Sequence, residues 1–266
     1  MVCRSGQRRM IELQNVTKTY GQGQAAVHGL TLSIAEREFA ILIGPSGSGK
    51  STTLSLINRL IEPTAGSVRV EGQPIELLDS VDLRRRIGFV FQAVGLFPHL
   101  TVAENAAITP RLLGWPKEKI QKRVLDLLDL VRLEPSSYAS RFPGELSGGE
   151  QQRVGLARAL AASPKIMLMD EPFGALDPLV RDELGAEYRA IHERLGLTTL
   201  LVTHDMTEAL LLADRVAVMR NGAIVQSGSP RELLSAPANE FVRSLIETPR
   251  RRAVRLAQAL DIGGAA

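Results

Sequence analysis

Two kinds of apolar pattern run along the chain. Met10-Ile11-Glu12-Leu13-Gln14-Asn15-Val16 and Ser67-Val68-Arg69-Val70-Glu71 alternate apolar with polar residues, as a strand does when one face is buried and the other meets water. Together they predict a small antiparallel sheet. Phe39 to Ile43, Phe89 to Phe91, Ile166 to Met169 and Thr199 to Val202 are short unbroken runs instead. Strands buried on both faces read this way, and with helical segments between them these four predict a parallel α/β core in which Thr199–Val202 is the last buried strand.

Between Gln92 and Ser163 no comparable strand signal occurs, and Lys117 to Leu133 places Ile120, Val124, Leu127, Leu128 and Val131 at helical spacing. A helical subdomain over about 93–163 is expected, with Pro98, Pro110, Pro116, Pro135 and Pro143 interrupting helices and making turns. Further on, Pro178 stands at a first helical position behind Asp177, and Leu184, Tyr188, Ile191 and Leu195 line one face before Gly196. The pattern predicts a single domain over 10–245. Residues 1–9 and 246–266 are expected to be flexible ends, the latter carrying Arg250, Arg251, Arg252 and Arg255 after Pro249 as a solvated tail.

At 266 residues and 44% hydrophobic, the chain can bury a full core without cross-links. Its single cysteine, Cys3, lies outside every patterned segment, which excludes a disulfide or zinc framework and favours a reducing compartment. No run approaches the ~18 apolar residues of a membrane span. Met1 to Arg9 is polar and basic without an apolar stretch behind it, so neither signal peptide nor anchor is expected. The formal charge of +3 is spread among acids, so nucleic acid is not an expected partner.

The chemistry concentrates after the Phe39–Ile43 run. Gly44-Pro45-Ser46-Gly47-Ser48-Gly49-Lys50-Ser51-Thr52 leads into Leu54, Leu56 and Ile57, the strand, glycine loop and helix order of a phosphate-binding P-loop. Glycines let backbone N–H groups close around phosphates, Lys50 adds a fixed positive charge, and the Ser51 hydroxyl can ligate Mg²⁺. The new helix turns its partially positive end toward the same anion. A nucleoside triphosphate with Mg²⁺ is therefore expected.

Ile166-Met167-Leu168-Met169-Asp170-Glu171 ends an apolar strand in two carboxylates, at the sheet edge where ligands of open α/β sheets bind. Asp170 suits Mg²⁺, directly or through water, and Glu171 suits orientation or deprotonation of an attacking water. Leu146-Ser147-Gly148-Gly149-Glu150 is a second glycine turn opening a helix. Alone it reads as a cap, with Ser147 and Glu150 forming a capping box, yet it also offers free N–H donors to an anion.

Set between the P-loop and the acidic strand, Leu146–Glu150 resembles the signature motif of ATP-binding cassette (ABC) ATPases, and the resemblance covers about residues 11 to 245. It implies a P-loop NTPase core of ABC ATPase type with a small antiparallel β subdomain and an inserted α-helical subdomain. It also implies that each ATP is sandwiched between the P-loop of one subunit and the signature of another, hence a homodimer. Tyr20 resembles the aromatic that stacks on adenine, and Gln92 the glutamine that senses Mg²⁺ and the attacking water. Asp177 resembles the D-loop aspartate while also fitting a helix N-cap, and His204 resembles the histidine that contacts the γ-phosphate. One departure stands out: Glu150 occupies a position where many members carry glutamine, which is expected to tune activity without abolishing it.

Finer likeness lies in Asn58 to Thr64, Gly95 to Asn105 and Pro110 to Pro116, which are similar to ATPases of osmoprotectant (glycine betaine, choline, carnitine) importers. That resemblance implies ATP hydrolysis at the cytoplasmic face of the membrane, with separate permease subunits and, indirectly, a substrate-binding protein. An importer ATPase for another small solute, such as an amino acid or a thiol-betaine, is the alternative. A soluble ABC protein acting on nucleic acid or ribosomes is disfavoured, because neither a second cassette nor a long coiled-coil insertion is present.

Overall fold

The computed structural model describes residues 8–21 and 23–261. The chain opens with β1 (Arg9–Thr19), turns back as β2 (Ala25–Ala35) and enters β3 (Phe39–Ile43). Helix α1 (Lys50–Ile57), β4 (Ala65–Val70), the two-residue β5 (Gln73–Pro74), α2 (Ser80–Arg86) and β6 (Ile87–Val90) follow. Next come α3 (Val102–Leu112), α4 (Lys117–Leu130), α5 (Pro135–Tyr138) and α6 (Gly148–Leu160), with no strand among them. The remainder is β7 (Ile166–Asp170), α7 (Pro178–Leu195), β8 (Thr198–Thr203), α8 (Met206–Leu212), β9 (Arg215–Arg220), β10 (Ala223–Gly228), α9 (Pro230–Ser235) and α10 (Glu240–Asp261).

Two sheets result. The smaller is antiparallel in the order β2-β1-β4-β5, with Ile11 opposite Val70 and Leu13 opposite Val68. The larger runs β10-β9-β3-β8-β7-β6, parallel throughout except for β10 at one edge. Successive side chains of a strand point to opposite faces, and the core sorts accordingly. Ile41, Ile43, Met167, Met169 and Leu201 pack with helices α3, α4, α6 and α7. Leu42, Leu168, Leu200, Val202 and Met219 pack on the other side with α1 and the smaller sheet. This double burial is why the central strands read as unbroken apolar runs.

Several expectations are corrected. Strand β2 buries Val27, Leu30, Leu32 and Ile34, but irregularities in its pairing with β1 near Val16 and Lys18 shift the alternation, which hides it from a strict period of two. Thr199–Val202 is not the last buried strand: β9 lies beyond it, beside β3, with Val216 to Met219 all buried. In α7, Leu184, Tyr188 and Ile191 are buried, whereas Leu195 is 41% exposed and His192 takes the inner position. There the Tyr188 hydroxyl and His192 Nδ1 lie 2.8 and 2.9 Å from Thr199 Oγ1, which satisfies all three polar groups in the core. Pro110 does not end α3, which runs two residues past it with Pro110 buried in the last turn.

The described chain ends carry regular structure. The small sheet begins at Arg9, which pairs with Ala35, and the preceding Arg8 carbonyl accepts from Glu36 N. The segment from 246 to 261 belongs to α10, which buries Val242 and Ile246 and carries Pro249 inside it. Cys3 and the remaining end residues, 1–7 and 262–266, lie outside the described residues. Among the described residues no helix is long and apolar enough to cross a membrane.

Candidate functional site

The loop from Gly44 to Gly49 connects the C-terminal end of β3, a central strand, to α1. Its shape depends on two glycines. A Cβ on Gly44 would lie 2.2 Å from the Met219 carbonyl oxygen, and Gly49 has φ +103° with a Cβ position 2.3 Å from the Ala26 carbonyl oxygen. Helix α1 starts on Gly49 with no side-chain cap and no acid in its first turn. Its N-terminal donors are left to a ligand or to water. The Ser48 hydroxyl is buried in this loop without a partner. Lys50 curls back and donates from Nζ to the carbonyl oxygens of Gly44 (2.8 Å) and Pro45 (2.9 Å). Burial lowers its pKa, against the opposing pull of Glu171 and Asp170.

Strand β7 delivers the two acids to this loop. Asp170 Oδ1 accepts from Ser51 Oγ at 3.0 Å, and burial raises the Asp170 pKa. Glu171 leaves the strand in the left-handed region, φ +44°, while its N–H still donates to the Val202 carbonyl at 2.9 Å. For a side-chain-bearing residue that conformation is sparsely populated, and such strain clusters at functional sites. It turns one carboxylate oxygen, Oε2, toward two residues from other strand ends. Gln92 Nε2 donates to it at 3.3 Å, and His204 Nδ1 lies 3.1 Å from it. With a carboxylate as acceptor, Nδ1 is the protonated nitrogen of that pair.

At the end of β7, Ser51 therefore meets Asp170 while Gln92 and His204 meet Glu171. Gln92 touches Glu171, not the Ser51–Asp170 pair. Tyr20 is 53% exposed with the Lys18 ammonium 5.3 Å from its ring centre. Among the described residues no hydrogen bond connects Tyr20, or the segment Leu146 to Glu150, to the P-loop or to Glu171. Asp177 caps α7 by accepting from Val180 N at 3.1 Å. The start of α7 packs against the glycine turn of α6, where a Cβ on Gly149 would stand 2.9 Å from Val180 Cγ1.

Several residues around these sites carry no short-range signal. Arg181 pairs with Asp205 (3.3 Å) beside His204 and donates to the carbonyls of Gly174 (3.4 Å) and Leu176 (3.0 Å) before Asp177. Glu208, in the first turn of α8, has a carboxylate oxygen buried without a partner, and burial pushes its pKa up to about 7. Tyr138 donates its hydroxyl to Glu150 Oε1 at 2.6 Å, and the Arg141 guanidinium lies 4.5 Å from the Tyr138 ring centre.

The chain as a whole is similar to known proteins. The chain is 51% identical over 241 residues to the glycine betaine/carnitine/choline transport ATP-binding protein OpuCA of Bacillus subtilis (strain 168), which covers 91% of this chain but only 63% of that relative's length. It is 51% identical over 234 residues to the glycine betaine uptake system ATP-binding protein YehX of Escherichia coli (strain K12), covering 88% of this chain and 75% of that one. Among solved structures, a dimeric post-hydrolysis state of an ATP-binding cassette bound to ADP and Pi superimposes with TM-score 0.75 at 38% identity, over 84% of this chain and 99% of that chain. The family model described as ABC transporter matches residues 27–174. With more than half of its length inside that model and its P-loop and acidic strand end both within the match, the chain belongs to the ABC transporter family.

Proposed function

We propose that the chain is the ATP-hydrolysing subunit of an importer for a quaternary amine such as glycine betaine, choline or carnitine. Support for the solute class comes from relatives named for these compounds at 51% identity. The subunit would act as a head-to-tail pair at the cytoplasmic face of the membrane, each copy giving its P-loop to one ATP and its signature, Leu146 to Glu150, to the other. Permease subunits would dock on the segment 92–98, where Phe97 is exposed, and a separate protein would deliver the solute.

The observation that carries the reading is the shared oxygen Glu171 Oε2, approached by Gln92 and His204 beside the Ser51–Asp170 bond. Glu171 would accept a proton from, or orient, the attacking water; Gln92 and His204 hold its carboxylate in position. Lys50, now on two loop carbonyls, would exchange them for phosphate oxygens. Ser51 Oγ and Asp170 Oδ1 are hard oxygen donors already 3.0 Å apart, so they fit Mg²⁺. When bound, Mg²⁺ would neutralise charge developing on the phosphates. Tyr20 would stack on adenine, with its exposed ring in support.

Glu171→Gln tests this directly, since it removes the carboxylate and preserves side-chain size. Hydrolysis should fall by roughly 100-fold or more, the scale of a lost general base. ATP binding should persist, and an ATP-dependent dimer should accumulate in light scattering. Turnover at the parent rate would overturn the catalytic assignment, and loss of ATP binding would make Glu171 structural.

A further inference from the structure

The second glycine turn holds a negative charge where the proposed function needs an anion to arrive. Glu150 is the third residue of α6. Its Oε2 accepts from Ser147 N (2.7 Å) and from Ser147 Oγ (2.8 Å), so the proton of the signature hydroxyl is committed to this carboxylate. A carboxylate is at home on a helix N-terminus, where it competes with any other anion for the same partial positive charge. Its own N–H makes only a 3.4 Å contact to Ser147 Oγ. The first N–H groups of the helix, those of Gly148 and Gly149, have no intrahelical acceptor. These are the donors an incoming phosphate would use.

The other carboxylate oxygen is held from outside the turn. Tyr138, at the end of α5, donates to Oε1 at 2.6 Å, and Arg141 stands 4.5 Å from the centre of the tyrosine ring. The Tyr138 bond is the largest influence keeping Glu150 ionised, followed by the two bonds from Ser147, with the Arg141 charge acting in the same direction.

We infer that Tyr138, backed by Arg141, is a positioning residue that anchors the Glu150 carboxylate at the cap through Oε1, off the N–H groups of Gly148 and Gly149, which are left to receive the γ-phosphate of an ATP held by a second copy. This rests on the function proposed above. In a member carrying glutamine at that position the side chain is neutral and no such restraint is needed. Here the tyrosine is what makes a carboxylate compatible with the composite site. On arrival of the phosphate, the Ser147 hydroxyl exchanges Glu150 for the ligand, while Oε1 stays on Tyr138 and the charge stays near Arg141.

The test uses the full chain in the Glu171→Gln background, following ATP-dependent dimerisation by light scattering and ATP affinity of the monomer by equilibrium titration. Tyr138→Phe should raise the ATP concentration at half-dimerisation roughly tenfold, the size of one charge-assisted hydrogen bond. Monomer affinity should be unchanged, because the P-loop is untouched. Adding Glu150→Gln to Tyr138→Phe should bring dimerisation back to within about threefold of the parent, since the charge that needed restraint is gone. Dimerisation of Tyr138→Phe at the parent's ATP concentration would overturn the inference, as would a double variant no better than the single one. Failure of the parent itself to bind ATP or to dimerise with it would overturn the proposed function, and this inference with it, before any Tyr138 variant is made.

Discussion

Helices α1 and α6 both begin at glycine turns, yet their ends are in opposite states. Helix α1 begins on Gly49, which has no side chain, carries no acid in its first turn, and presents Lys50 instead. Helix α6 begins on Ser147 with a closed capping box, its carboxylate tied down a second time by Tyr138. An uncapped end is unstable until something binds it. A capped end is stable alone and must rearrange to bind. Under the proposed function the first end would take the phosphates of a nucleotide, and the second an anion arriving when two copies meet.

The largest expected effect comes from closing the open end wrongly. Gly49→Ala would place a methyl 2.3 Å from the Ala26 carbonyl oxygen at φ +103°. Stability should drop by about 3 kcal/mol or more and ATP binding should be lost. Urea unfolding and equilibrium titration check both. A stable, ATP-binding variant would show that the α1 end does not depend on glycine.

A third helix end sharpens the contrast. Asp205 caps α8, and Glu208 occupies the place in its first turn that Glu150 occupies in α6. Instead of returning to the cap, Glu208 turns into the protein, facing Thr203, Asp205, Arg181 and His204. Burial raises its pKa from 4.5 to about 7. Between those values the folded protein holds a proton that the unfolded chain has released, so stability falls as pH rises through the window, by about 3 kcal/mol in all. Glu208→Gln should remove that slope. Urea unfolding of both proteins at pH 4 and pH 8 measures it, and an unchanged difference between the two would refute the buried-acid assignment.

The smallest effect belongs to the closed end. Ser147→Ala removes the cap from α6 and should cost about 1 kcal/mol in urea unfolding. No loss would mean that Glu150 and Tyr138 hold the turn without the hydroxyl.

Much of the candidate site was legible because each part is local. Gly44 to Thr52, Asp170 with Glu171, and Ser147 with Glu150 are short segments whose spacing states their chemistry. The unbroken runs at Phe39, Ile166 and Thr199 identified central strands for the same reason. Strand β2 is hidden by irregular pairing, and β9 lies past the last apolar run that predicts a strand. Leu195 and His192 exchanged roles because a helical face predicts which residues can point inward, whereas the path of Gly196 into β8 decides which of them do.

The segments that can hold phosphate, the acids at the end of β7 and the helices' own caps are readable along the chain, since they rest on backbone geometry and on neighbours within a few residues. That Gln92 and His204 share one oxygen of Glu171, from 79 and 33 positions away along the chain, is set by how the strands are assembled. The tertiary structure alone puts Tyr138 on Glu150 and turns Glu208 inward while Glu150 stays at its cap. Strand order and helix packing set those meetings, and a carboxylate's charge, partners and pKa depend on what the rest of the fold places within about 3 Å of it.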